Sequence, residues 1–372
     1  MIIRFISSVL SLIFLAVPIL VQNAMGKKDD MAQQISRIAQ LEEAYKNGDI
    51  EPVDEASFFD GDLAAEIESG MKFNELSFIA THNSYQKDET EAGKKIYKSI
   101  ENITFGAVSS QKALFESETL TQQFNKGIRS VEIDVEAVVK DGVTSFVCMH
   151  MPLWSAGTTC YDFALAMKEI YLWSENNPNH LPITVIIEPK KFAFPAGGMK
   201  VFNAEYAKEL DSVIRESLKE KLFTPADMLR DYKSFAEMRQ NDDWCKVSDM
   251  LGKVLILLHE GKSTEGYIAW DTSIKTQAMF PMLRYDNKDD SYAGFLLMND
   301  ADDAKAHSEE IIDKYNLIIR TRADEYLSVS AQTRQNAIDS RGQIVSTDYP
   351  AKDRPTDDVF SFGGGKTIRR IK

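Results

Sequence analysis

The chain has 372 residues, a formal charge of −14, 44% apolar and 27% charged residues, and three cysteines. That length suits one large α/β domain or two smaller ones, the acidic balance excludes a basic nucleic-acid footprint, and three cysteines exclude a disulfide scaffold. An acidic surface gives no bulk attraction to anionic lipid, so an anionic substrate has to be drawn by a local positive site.

In chain order, Arg4 stands alone before an apolar run from Phe5 to Val21, broken only by Ser7, Ser8, Ser11 and Pro18. Ala24-Met25-Gly26 then sets small residues at the −3 and −1 positions of a cleavage site. This is the layout of a secretory signal peptide over residues 1–26, with an uncleaved membrane anchor as the rival reading. Pro18 and the small-residue site favour cleavage, and so a secreted or periplasmic protein. Residues 27–72 read as a polar N-terminal helical extension, with a helix around Met31–Tyr45 and a loop near Gly48–Asp60.

From Phe73 short apolar runs alternate with amphipathic stretches. The expected strands are Leu76–Ala80, Ser130–Glu136, Ser145–His150, Ile183–Glu188, Val254–His259, Phe295–Met298, Leu317–Thr321 and Ile344–Thr347. Helical patterns fall at Phe163–Ser174, Ala204–Leu222, Asp303–Tyr315 and Ser330–Ser340. Gly127, Gly142, Gly252 and Gly342 punctuate the approach to strands. Eight strands alternating with helices over 73–350 predict an α/β fold, a (β/α)8 TIM-type barrel, regular or distorted. A doubly wound open sheet is the alternative that pattern leaves open. No phosphate-cradling glycine motif follows a strand, and residues 351–372 read as a loose polar tail.

Chemistry-bearing residues gather at the carboxyl ends of the early strands. The first runs into Thr81-His82-Asn83-Ser84-Tyr85; the second carries Glu132 and Asp134 at i and i+2, on one face. The third expected strand ends at His150, and the fourth in Glu188-Pro189-Lys190-Lys191. A barrel collects such residues at one mouth. Val131 and Ile133 alternate with the acids, which therefore point inward, where unpaired carboxylates are costly. Inward acids beside an amide oxygen call for a cation, and oxygen-only ligands call for a hard one, Ca²⁺ or Mg²⁺. A single strand-end histidine is more often structural than catalytic, so the weight rests on the succession of strand ends.

The stretch Ile79-Ala80-Thr81-His82-Asn83-Ser84-Tyr85 resembles the first-strand motif of phosphatidylinositol-specific phospholipases C. Arg129-Ser130-Val131-Glu132-Ile133-Asp134-Val135 resembles the second-strand motif of their calcium-dependent branch. The resemblance continues through Cys148-Met149-His150, Asp162–Trp173, Asn177–Pro182 and Ile186–Lys190. It ends at Arg320-Thr321-Arg322-Ala323-Asp324 and Gln343–Pro350. It implies His82 and His150 as the catalytic pair and Asn83, Glu132, Asp134 and Glu188 as Ca²⁺ ligands. Lys190 matches a family lysine near the substrate phosphate. Arg320, Arg322 and Asp348 lie on late strands, as head-group contacts or as barrel-core ion pairs. Metal-independent relatives place an arginine where this chain has Asp134, and glycerophosphodiesterases begin with His-Arg where this chain has His82-Asn83.

The implied reaction is cleavage of phosphatidylinositol to diacylglycerol and a cyclic inositol phosphate, by attack of the inositol 2-hydroxyl. His150 protonates the leaving oxygen, His82 bonds the phosphate, and Glu132, Glu188 and His82 remain open as the base. The implied partner is a phospholipid at a membrane surface, met by a monomer, with no nucleic acid and no protein partner. Two rivals stand beside this: a phosphodiesterase for another phospholipid or glycerophosphodiester head group, and a barrel that binds lipid or sugar phosphate without cleaving it. His180 reads as structural, His307 as solvated, and His259 as a candidate for the mouth. Cys148 and Cys160 are candidates for a disulfide after export, which would leave Cys245 unpaired.

Overall fold

The computed structural model describes residues 27–89, 91–103, 105, 109–150, 156–191, 198–349 and 359–371. The expected signal peptide lies outside the described residues. Among the described residues eleven strands form one sheet: β1 (Leu76–Thr81), β2 (Ser130–Lys140), β3 (Val143–Cys148), β4 (Ile183–Pro189), β5 (Met199–Lys200), β6 (Val254–Leu258), β7 (Met279–Leu283), β8 (Phe295–Leu297), β9 (Ile318–Arg322), β10 (Ile344–Thr347) and β11 (Ile368–Arg370). The helices are α1 (27–47), α2 (Leu63–Glu68), α3 (Glu91–Ile103), α4 (Leu120–Asn125), α5 (Phe163–Asn176), α6 (Ala204–Leu218), α7 (Pro225–Leu229), α8 (Phe235–Gln240), α9 (Lys262–Trp270), α10 (Ala301–Ser308) and α11 (Ala331–Asp339).

Eight strands pair in parallel in the order β1, β2, β4, β6, β7, β8, β9, β10, and β10 pairs again with β1. The sheet is therefore closed, which excludes the doubly wound alternative and leaves a (β/α)8 barrel. Period-2 alternation sorts its side chains into two sets. Val131, Ile133 and Val135 of β2 face outward onto Phe163, Met167, Ile170 and Trp173 of α5 and Leu210 of α6. The inward set is apolar low in the barrel, with Phe78, Ile186, Leu257, Phe280, Phe295, Ile318 and Ile344. Phe59, Leu63, Met71 and Phe73 join that cluster and close the amino end. Polar residues occupy the inward positions nearer the carboxyl ends, so the packed apolar layer is the floor beneath the site.

Three expectations change. The third expected strand, Ser145–His150, is not a barrel stave. Only Asp141 and Gly142 separate β2 from β3, and both have positive φ (52° and 78°). That is a two-residue hairpin turn, so β3 runs antiparallel on β2, pairing Cys148 with Val135. A parallel neighbour would need a crossover of a dozen or more residues. The missing stave is β7, Met-Phe-Pro-Met-Leu, whose central Pro281 argues against an interior strand on sequence alone. The described part of the expected tail, finally, is ordered: β11 pairs antiparallel with the lower half of β1, and Thr367 Oγ1 donates to Gly127 O at 2.9 Å.

Candidate active site

β1 delivers His82, which follows its last residue, Thr81. His82 N donates to Thr347 O at 3.2 Å, and Nδ1 donates to Asp348 Oδ1 at 2.8 Å. Asp348 is itself held: its other oxygen accepts from Tyr326 N and its N–H donates to Asp324 Oδ1 at 3.0 Å. Burial acts to lower the His82 pKa, but Asp348 and then Glu132 outweigh it and the net shift is upward. Asn83 takes a left-handed conformation, φ 49°, which asparagine tolerates better than most residues. Its carbonyl accepts from Gln86 N at 2.9 Å and Ser117 Oγ at 3.0 Å.

β2 and β4 are in register, with Asp134 opposite Glu188. Glu132, Asp134 and Glu188 each offer an oxygen within 4.8 Å of the others. Glu132 is buried and bound by Arg320, which also reaches Asn299. Burial would raise the Glu132 pKa; Arg320, His82 and His259 bring it down to about 2. Asp134 is wholly buried, and among the described residues neither of its oxygens has a well-aligned hydrogen-bond donor. Lys190 Nζ lies 2.7 Å from Asp134 Oδ2 and 3.2 Å from Glu188 Oε2. Burial and the neighbouring Glu188 raise the Asp134 pKa against the pull of Lys190. At Glu188 burial again works upward, but Lys190 wins and the net shift is down.

His150 arrives at this mouth on the returning β3 arm rather than on a stave. Burial, then Lys190 and His82, hold its pKa down at about 4. His82, Asn83, His150, Arg322, Tyr326 and Asp348 line one cavity of about 170 Å³. The structure therefore brings both expected imidazoles and the amide to one cavity, and His82 Nε2, 3.9 Å from Glu132 Oε1, joins that cavity to the three acids. His259 follows the last residue of β6, its N–H donating to Ile187 O at 2.9 Å, which sets it at the mouth. His180 is a structural histidine, bonded to Ser174 Oγ and Leu181 O.

The late-strand residues separate. Arg320 is a barrel-core ion pair with Glu132. Asp348 lines the cavity but is spent on His82, and Arg322 lines it while paired with Glu325. Lys190 bridges two of the acids. Cys148, Cys160 and Cys245 are all free and buried, so the candidate disulfide is absent. Glu136 joins the inward acids of β2: it follows Asp134 at i+2, is fully buried, and among the described residues has no hydrogen-bond partner on either oxygen. The alternation that selected Glu132 and Asp134 extends to it.

The acid cluster fits a hard divalent cation. Asp134 is a buried carboxylate whose oxygens lack aligned donors, and the converging atoms are all oxygen. The residues positioned to hold the ion are Glu132, Asp134 and Glu188; Asn83 lines the cavity next to them, joined to the cluster through His82, whose Nε2 lies 3.9 Å from Glu132 Oε1.

The profile described as "Phosphoinositide phospholipase C, Ca2+-dependent" matches residues 143–370, more than half of the chain. The chain belongs to that family. It is accordingly an enzyme, a phosphoric diester hydrolase with Ca²⁺ as its cofactor. The matched span runs from the β3 arm to β11, so His82, Asn83, Glu132 and Asp134 are located by the structure rather than by the match. A calcium-dependent phosphoinositol-specific phospholipase C from Pseudomonas sp, in a myo-inositol complex, is similar in structure. It is 20% identical with a TM-score of 0.57, over 84% of this chain and 98% of that one. The Ca²⁺-dependent phosphatidylinositol-specific phospholipase C of Streptomyces antibioticus is 15% identical with a TM-score of 0.52, over 75% of this chain and 95% of that one. At these identities the likeness carries the fold. No curated protein matches the chain.

Proposed function

We propose that the chain cleaves phosphatidylinositol into diacylglycerol and inositol 1,2-cyclic phosphate, which it then hydrolyses more slowly. The observation that carries this is the meeting of three carboxylates within 4.8 Å with two imidazoles that line one cavity. Bound Ca²⁺ would supply charge stabilisation for the phosphorane-like transition state and acidify the inositol 2-hydroxyl, whose proton passes to the Glu132 or Glu188 carboxylate as the 2-oxygen attacks phosphorus. Glu132, Asp134, Glu188 and Asn83 would hold it.

The chain's own groups divide the remaining work. His82, whose pKa is raised, presents a cationic Nε2–H to the phosphate oxygens, and Asp348 fixes the ring orientation by accepting from Nδ1. His150 is the proton donor to the departing diacylglycerol oxygen. In the free protein it is neutral at neutral pH, and the negative phosphodiester seated beside it raises its proton affinity. Once the proton has gone, a neutral His150 is suited to activate the water that opens the cyclic product. Bound Ca²⁺ on the acid cluster, with Lys190 and Arg322 beside it, would provide the local positive charge that an acidic protein needs to draw an anionic head group.

The substrate is a phospholipid at a membrane surface, and the working site of the protein is outside the cytoplasm, after removal of residues 1–26. Among the described residues no helix is long and apolar enough to cross a membrane. The test of the head group is turnover of phosphatidylinositol, phosphatidylcholine and glycerophosphoinositol vesicles or solutions, with phosphorus NMR on the products. A transient cyclic phosphate from phosphatidylinositol alone is expected; equal turnover of phosphatidylcholine would contradict the inositol assignment.

A further inference from the structure

α1 lies outside the residues matched by the family profile, yet it presents a polar stripe, buried at Asp30 and Gln34 and half-buried at Arg37, to the edge of the site. Asp30, Gln34 and Arg37 sit at i, i+4 and i+7, one face of a helix. Gln34 is fully buried: its Nε2 donates to Asp162 O at 2.9 Å and its Oε1 accepts from Asp162 N at 2.8 Å. A side-chain amide thus takes the place of a neighbouring strand. Arg37 is anchored on α5 by Glu169 at 2.9 and 3.1 Å, and its Nη2 also donates to Thr159 O at 2.6 Å. Asp30 accepts from Thr158 N at 3.2 Å through one oxygen and from Lys87 Nζ at 3.1 Å through the other.

All three grip one segment, Gly157–Asp162, whose inner edges are bonded to both halves of the site. On one side, Lys87 N donates to Gly157 O at 3.1 Å and Thr159 N to Tyr85 O at 2.8 Å, next to the Asn83 turn. On the other, Cys148 N donates to Tyr161 O at 2.9 Å, two residues before His150. Gly157 is needed for this approach: a Cβ there would stand 2.8 Å from Asp88 O and 2.9 Å from Lys87 O. β3 pairs with β2 along one edge only, so the placement of His150 depends on what bonds the other edge. That is this segment, and α1 backs it.

We propose that α1 is a positioning element of the active site, in which Asp30, Gln34 and Arg37 set the register that brings His150 to face His82 and Asn83. None of the three lines the cavity, so each acts through the segment it holds. The inference rests on the reading of His150 as catalytic. A misplacement of 1 Å in such a group lowers turnover by about 10²-fold.

The test uses the full chain with Arg37→Ala, Arg37→Lys and Asp30→Asn, against Ser36→Ala on the exposed face of α1 and against His150→Ala. Four quantities are read: kcat and KM on phosphatidylinositol, Ca²⁺ affinity by calorimetry, and Tm. Arg37→Ala is expected to lose about tenfold or more in kcat while KM and Ca²⁺ affinity stay within about twofold. Arg37→Lys should recover part of the loss, and Ser36→Ala should be silent. If Arg37→Ala does not fold, Asp30→Asn decides, since it keeps an acceptor for Thr158 N and drops the charge on Lys87. A severalfold kcat loss supports the proposal and unchanged kcat overturns it. Full kcat in a folded Arg37→Ala, beside an inactive His150→Ala, overturns the proposal and leaves the function standing. An active His150→Ala removes the reading on which it rests. A fall of kcat with a rise in KM and a loss of Ca²⁺ affinity in Arg37→Ala overturns it as general loosening.

Discussion

Asp348 Oδ1 and His82 Nδ1 are 2.8 Å apart at the carboxyl ends of adjacent staves, β10 and β1. The pairing is fixed by the barrel itself, because Thr81 and Thr347, the residues just before them, are in register. Asp348 is in turn held by the Tyr326 N–H, which donates to its other oxygen, and by its own N–H, which donates to Asp324 Oδ1, so the imidazole is oriented before substrate arrives. Asp348→Asn keeps the shape and removes the charge. It should lower kcat by roughly 10²-fold, the scale of one general acid–base contribution.

The same pair has a stability signature. The folded pKa of His82 is raised above its ordinary value, so its stabilisation is fully present below the unfolded pKa of about 6.5 and lost as pH rises through the folded pKa. In chelator, Asp348→Asn should therefore lower Tm more at pH 5.5 than at pH 9. An equal drop at both would mean that the pair contributes no proton-linked stability.

The two site histidines should titrate in opposite directions. Imidazole NMR on the chelated protein is expected to show His82 above the ordinary histidine range and His150 at about 4. Addition of an inositol phosphate should move His150 upward, since an anion beside it favours its charged form. Coincident titrations near the ordinary value would remove the proposed division of labour.

Calcium should bind with release of protons, because the raised Asp134 carboxyl must ionise to serve as a ligand. Its affinity is expected to fall as pH drops from 8 to 6, by more than a site of ordinary carboxylates would show. Asp134→Asn should also abolish most of the Ca²⁺-induced rise in Tm. Scanning calorimetry with and without Ca²⁺ checks both.

Much of this site was legible in the sequence because period-2 alternation is rigid. Glu132, Asp134 and Glu188 fall on the inner face by counting, and the closed register of β2 with β4 does the rest. What counting missed has particular causes. The route of His150 depends on the Asp141-Gly142 turn, whose hairpin signal outweighs the apparent regularity of eight strands. Pro281 hid β7, because a buried stave with a missing N–H looks like a break. The Asp348–His82 and Arg320–Glu132 bonds join residues more than 180 positions apart, and no local pattern carries them. The ordered end of the chain was missed for the same reason, as β11 has meaning only beside β1.

That last contact can be probed at Gly127, which has φ 81° and stands where a Cβ would meet Phe58 and Thr367 at 2.5 Å. Gly127→Ala combines a left-handed alanine with a clash, and should cost about 2–3 kcal/mol in denaturant unfolding. A change within about 0.5 kcal/mol would show that β11 is not held through this contact.

The central claim is that two imidazoles and a calcium-binding cluster of acids perform the chemistry together. Its most direct test is release of diacylglycerol from phosphatidylinositol vesicles by the wild type, His82→Ala and His150→Ala, each with Ca²⁺ and with chelator. The expected result is Ca²⁺-dependent release by the wild type and a loss of about 10²- to 10⁴-fold in each variant, with Tm preserved. Undiminished release by either folded variant, or by the wild type in chelator, would contradict it.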